Sequence, residues 1–202
     1  MIYVLAFTLA VFLIMLLLIW LRKAQFDAVH RNFLDLEDHY GGRVIRNGFA
    51  IRPKYSGIFR EHRMSISISS EKKTTDHPRQ FYISIYMQVP SPINFTVMSN
   101  SWLSKKYDSV QKKRYIKKIV HDNYSIEVMD KAIFARINIP KLEDLIENMH
   151  PFAYVLVSKR GSILERLSDN LIADTEFNKL DRLLLSMKDL SLVISGKESN
   201  KN

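Results

Sequence analysis

From Ile2 to Leu21 the chain carries no charged position, and beyond Lys23 that unbroken apolar block gives way to patterns with the periods of folded elements. The block reads IYVLAFTLAVFLIMLLLIWL; as a helix its twenty residues span roughly 30 Å, about the hydrocarbon thickness of a bilayer. The next apolar positions, Phe26, Val29, Phe33, Leu36 and Tyr40, recur at intervals of three and four, which marks one face of a helix. Gly41 and Gly42 stand where that helix should stop. Two heptads are too few to define a coiled coil, so the stripe is expected to lie on the chain's own domain, ahead of pairing with a second copy.

At Arg43 the period changes to two. RVIRNGFAIR places Asn47-Gly48 between short apolar runs, and predicts a tight hairpin. Met64, Ile66 and Ile68 alternate with serines, and Phe81, Ile83, Ile85, Met87 and Val89 alternate with Tyr82, Ser84, Tyr86 and Gln88, as in an antiparallel sheet with one wet face. Further strands are expected in NFTVMS, YSIEVM, FAYVLVS and ILERL, with RGS at 160–162 as a turn, and a helix in PKLEDLIENM, where Pro140 suits a first turn. The last helix is predicted to start at an Asp174 cap, to present Phe177, Leu180, Leu184, Met187 and Ser191, and to end at Gly196.

Together these elements predict an α+β protein in which an N-terminal transmembrane helix precedes a single domain, an antiparallel sheet packed by helices. The expected divisions are an anchor over 1–23, a juxtamembrane helix over 24–42, a cytoplasmic α+β domain over 43–196 and a polar tail over 197–202. Nothing basic precedes the apolar block, and Arg22 and Lys23 follow it where a signal peptidase would need small residues, so an uncleaved signal-anchor is favoured over a signal peptide. Those same cations favour a cytoplasmic body and an outside N-terminus at an inner or plasma membrane. Tyr3 and Trp20 stand near the ends of the span, where headgroup-level aromatics belong. A cytoplasmic body would leave the glycosylation-like tripeptides at Asn94 and Asn123 unused.

Charge adds a second feature. The formal net charge is +9, but it is local: residues 43–63 hold six Lys or Arg against one acid, and residues 104–118 hold seven against one. The second block, Lys105, Lys106, Lys112, Lys113, Arg114, Lys117 and Lys118, is the candidate contact for acidic lipid or a partner. From Lys112 to Val120 it fits an amphipathic helix, with Tyr115, Ile116, Ile119 and Val120 opposite Lys113, Arg114, Lys117 and Lys118. Three uses stay open: an ordinary solvated face, which is the commonest fate of such a pattern; anionic headgroups; or an acidic partner. Nucleic acid is not favoured, because Tyr107 and Tyr115 alone make a poor stacking platform. Tyr82 and Tyr86 on the wet face hint at a docking surface, unless a helix of the same domain covers them.

The chain has no Cys, which excludes disulfides, thiolate catalysis, Cys-ligated zinc and lipidated cysteine. Its six His are dispersed without paired metal-ligand spacing, and no nucleophile elbow, phosphate loop or dinucleotide fingerprint occurs, so no catalytic, cofactor or metal residue is assigned. The expectation is a single-pass membrane protein with a non-catalytic binding or assembly domain. It would touch the bilayer through residues 2–21, and a protein partner or a second copy through the body. The alternative is a membrane-tethered enzyme or small-ligand receptor, which a deep pocket grouping His62, Arg63 and His121 would favour.

Overall fold

The computed structural model describes residues 2–49, 51–71, 80–102, 116–121, 123–128 and 131–193. Its first element is one uninterrupted helix, α1 (Ile2–Tyr40), about 58 Å long at 1.5 Å per residue. The two halves of α1 meet different surroundings. Residues 2–21 are exposed throughout, whereas Phe26, Val29, Phe33 and Leu36 are wholly buried in the domain core. The stripe therefore lies on its own domain. Gly41 and Gly42 end the helix at φ 66° and 95°, a region that glycine enters without steric cost. A Cβ on Gly42 would also collide with the Ser56 carbonyl and lie 2.7 Å from Gly57 Cα, so the stop is built against the neighbouring strand.

Among the described residues, nine strands form a single sheet: β1 (Arg43–Ile45), β2 (Lys54–Phe59), β3 (His62–Ser70), β4 (Phe81–Met87), β5 (Phe95–Ser99), β6 (Ile116–His121), β7 (Tyr124–Val128), β8 (Phe152–Ser158) and β9 (Gly161–Ser168). Their spatial order is β1-β2-β3-β4-β9-β8-β5-β7-β6, and every pairing is antiparallel. The remaining helices are α2 (Lys131–Ala135), α3 (Ile139–Met149), α4 (Leu171–Asp174) and α5 (Phe177–Asp189), followed by a 3-10 turn, Leu190–Val193. Asn138 caps α3 by accepting from Lys141 N at 3.2 Å, with Pro140 in the first turn.

Alternation decides which face of the sheet is core. Ile66, Ile85, Leu164, Val155, Val97 and Ile126 follow one another across neighbouring strands and are fully or almost fully buried. They join one cluster with Phe33 of α1, Leu142 and Ile146 of α3, and Leu180 and Leu184 of α5. The fold is thus the α+β arrangement expected, with its helices gathered on one face.

Three local expectations fail, and one strand was not anticipated. Asn47-Gly48 is not a two-residue hairpin: β1 pairs with β2 across residues 46–53, and the tight turn lies instead at Arg60-Glu61, both at positive φ, between β2 and β3. The strand KYSGIF was not predicted, because Gly57 and Ser56 interrupt its apolar alternation. Asp174 ends α4 instead of capping α5, whose cap position is Glu176, and its carboxylate accepts from Ser168 Oγ at 2.8 Å. Ile116–His121 is a strand, not the second half of a basic helix, because its backbone finds a partner in β7.

Candidate functional site

The sheet face turned away from the helices carries side chains that the strand register assembles in rows. Ser67, Ser84, Glu165 and Tyr154 lie side by side on β3, β4, β9 and β8, and Ser69, Tyr82 and Leu167 form the adjoining row. Trp102, just beyond β5, reaches over this face, its ring 5.3 Å from that of Tyr154 and tilted by 44°. Two adjoining clefts result. One, of about 190 Å³, runs between Tyr82, Trp102, Tyr124, His150, Phe152 and Leu167. The other, of about 240 Å³, is bounded by Ser69, Glu71, Tyr82, Trp102, Tyr154 and Glu165. They share Tyr82, Trp102 and Ala153, so they make one shallow groove with an aromatic middle.

The polar groups of the groove are fixed by each other. Ser84 Oγ donates to Glu165 at 2.6 Å, and the Tyr82 hydroxyl donates to Glu71 at 3.0 Å. Burial, together with the Glu71 hydrogen bond, pushes the Tyr82 hydroxyl up to about 12. Burial likewise raises Tyr124 and Tyr154. These phenols therefore stay protonated across the physiological range and serve as hydrogen-bond groups, not as proton acceptors. At the groove's inner end, the Tyr124 hydroxyl accepts from Phe152 N at 3.1 Å and lies 2.8 Å from His150 Nδ1. Arg166, on the core side, donates to the carbonyls of Met149 and His150 at 2.8 and 2.6 Å, holding the turn that precedes β8.

Sequence reasoning placed Tyr82 and Tyr86 on this face, but Tyr82 is 8% exposed while Tyr86 is 36% exposed. It missed Trp102, Tyr154, Glu165 and the serines as a group. Each strand's alternation marks its own outward residues, and only the β4-β9-β8 neighbourhood brings them together. Of the basic candidates, Lys105, Lys106, Lys112, Lys113 and Arg114 lie outside the described residues. Lys117 and Lys118 lie on β6, at one edge of the sheet, in register with Glu127 and Ile126. His62 and Arg63 begin β3 while His121 ends β6; six strand positions separate them, about 29 Å at ~4.8 Å per strand. Neither of the two clefts above is lined by any of the three. No cluster of three or more His, Cys, Asp or Glu fit to hold a metal occurs among the described residues.

The class defined by these features is an all-antiparallel nine-stranded α+β domain joined without a break to a helix long and apolar enough to cross a membrane. No protein-family model and no curated protein matches the chain. Among solved structures, the domain is similar to the crystal structure of the mycobacterial trehalose monomycolate transport factor A, TtfA. The TM-score is 0.53 at 6% sequence identity, over 82% of this chain and 93% of that one. That likeness is one of fold.

Proposed function

We propose that this chain is a single-pass inner- or plasma-membrane protein whose α+β body stands on the cytoplasmic side as a non-catalytic binding or assembly module. The observation that carries the reading is the continuity of α1. Its first twenty residues from Ile2 expose apolar side chains that only hydrocarbon would cover, and its last turns are locked in the core. A helix so shared holds the body close to the bilayer. Arg22 and Lys23 at the end of the span set the side by the positive-inside rule. The groove around Trp102, Tyr82 and Tyr154 is the docking surface of this module, since it joins aromatic area to hydroxyl and carboxylate groups already held in place. Lys105, Lys106, Lys112, Lys113, Arg114, Lys117 and Lys118 would supply contact with anionic headgroups or an acidic partner. The fold neighbour is a transport factor, and an accessory part in a membrane assembly falls within this reading.

Reporter fusions at Asn202 test the topology: a fluorescent cytoplasmic reporter and an inactive periplasmic phosphatase are expected, and the opposite pair overturns it. A photo-crosslinking residue at Tyr154 tests the groove. Adducts recovered from intact membranes should vanish when Glu165→Ala and Trp102→Ala are combined; adducts unchanged by that pair would move the docking surface elsewhere. The second reading, a small-ligand receptor, is favoured by the cleft of about 190 Å³. It predicts adducts with a small molecule in place of a protein.

A further inference from the structure

We infer that the described residues of the loop between β1 and β2, 46–49 and 51–53, make a second membrane contact, laying Phe49 and Ile51 into the headgroup layer beside α1 and so fixing how the body stands on the bilayer. This rests on the anchor reading above. After Gly42 the chain doubles back along α1 toward the apolar block, and successive contacts mark its course. Val44 N donates to Glu37 at 2.8 Å, Arg46 Nη1 donates to Asp27 at 2.5 Å, and Lys23 Nζ stands 5.4 Å from the centre of the Phe49 ring. From Glu37 to Lys23 that course covers about 21 Å of helix. Lys23 lies only about 3 Å, and Asp27 about 9 Å, beyond the apolar block's end at Leu21. A headgroup layer is roughly 5–7 Å deep on each side of the hydrocarbon. The tip of the returning loop thus sits at headgroup depth.

What the loop presents there suits that layer. Phe49 is 62% and Ile51 50% exposed. One exposed apolar side chain is ordinary, but two at the tip of a short loop beside an apolar block form a patch. The loop is not free to fold them inward. The Arg46 guanidinium donates to the carbonyls of Phe49 and Ile51 at 2.9 and 3.1 Å while also holding Asp27, so loop backbone and helix are tied by one side chain. Arg22 is exposed just beyond the apolar block, and Lys54, in register with Ile45, is exposed where the loop returns to β2. Apolar and aromatic side chains edged by cations form the composition that enters an anionic interface. A second copy on this patch would oppose cation to cation, so the bilayer is the better complement.

The absence of cysteine makes a direct depth measurement possible in the full chain. Nitroxide labels would be placed singly through Phe49→Cys, Ile51→Cys, Phe12→Cys and Arg182→Cys, and the protein reconstituted into phosphatidylcholine and phosphatidylglycerol vesicles. Accessibility to oxygen and to a water-soluble nickel complex would then be compared. Position 12 should read hydrocarbon, and position 182, exposed on α5 beside the far end of α1, should read water. Positions 49 and 51 should read interface, with nickel access at least several-fold below that at 182. Watery readings at 49 and 51 with hydrocarbon at 12 would overturn the inference and leave the anchor standing; water at 12 would overturn the anchor itself. Protection of 49 from both reagents, with spin-spin broadening, would mean a second copy covers the patch, and would also overturn it.

Discussion

Arg46 and Asp27, nineteen positions apart, meet at 2.5 Å, and their contact joins the returning β1-β2 loop to the helix at the start of the core stripe. Lys23 reaches the other oxygen of the same carboxylate at 2.7 Å. Hydrogen bonds from Lys23 and then Arg46 hold the Asp27 carboxyl below its ordinary value.

Asp27→Asn should therefore release the loop without unfolding the body. Amide exchange at residues 46–53 should quicken several-fold, while exchange in β3 and β4 stays unchanged. The pH dependence has a fixed sign. A carboxylate with a depressed folded pKa stabilises above its unfolded value near 4 and loses that contribution as pH falls through the folded value. Loop protection in the wild type should fall only under acid conditions, and that acid step should be missing in Asp27→Asn. An equal acid step in both proteins would exclude this carboxylate as its source.

Phe33 is wholly buried, although it belongs to the helix whose first half is long and apolar enough to cross a membrane. Truncation to residues 24–202 should leave a folded, soluble body, whereas truncation to 41–202 should aggregate, since it strips Phe26, Val29, Phe33 and Leu36 from the sheet. Phe33→Ala in the 24–202 form should cost about 3–5 kcal/mol of stability in urea unfolding. A loss below about 1 kcal/mol would mean that the helix merely rests on the domain.

Tyr82 and Tyr55 are both held up to about 12 by burial, Tyr82 with help from Glu71 and Tyr55 with the Glu37 charge nearby. An unfolded tyrosine ionises near 10, so between about pH 10 and 12 the unfolded chain releases protons that the folded chain keeps. Stability is fully present below pH 10 and must fall as pH rises through that window. The urea midpoint should drop between about pH 10 and 12, and Tyr82→Phe should flatten part of the drop. An identical slope in that variant would assign the effect to other groups.

How far the fold was legible depended on whether a pattern was local. Met64, Ile66 and Ile68 declare a strand on their own, because one face of β3 is core and the other is serine. Phe26, Val29, Phe33 and Leu36 declare a helical face in the same way, and even their preference for the chain's own domain could be argued. Ile116, Ile119 and Val120 fit a helical face equally well, yet their β-branched side chains suit a strand; the choice was made by β7, whose pairing no window within 112–120 contains. The groove was illegible for a related reason. Tyr82, Trp102 and Tyr154 come from three separated stretches, and sheet order, which interleaves β9 and β8 between β4 and β5, is not written in any of them. The doubling back of residues 43–49 along α1 was hidden too, since Asn47-Gly48 mimics a tight hairpin.

The basic segment can be tested apart from the anchor, because the fold separates them. β6 is seven positions from β2, the strand on which α1 packs, which is about 34 Å along the sheet at ~4.8 Å per strand. Attraction is largely screened beyond about 8 Å at physiological salt, so Lys117 and Lys118 gain from headgroups only where their own edge of the sheet approaches them. Any lipid contact there must be made by that edge of the body itself. Replacing Lys113, Arg114, Lys117 and Lys118 by Gln in the 24–202 form should weaken sedimentation with phosphatidylglycerol-containing vesicles. At about 1 kcal/mol per cation close to the surface, removing four should cost up to about three orders of magnitude at low salt, and the loss should shrink as salt is added. Neutral vesicles should bind neither form. If the wild-type body fails to bind anionic vesicles at low salt, the segment has no membrane role. A protein partner that is captured by the wild type and lost by the variant would then identify what these cations meet.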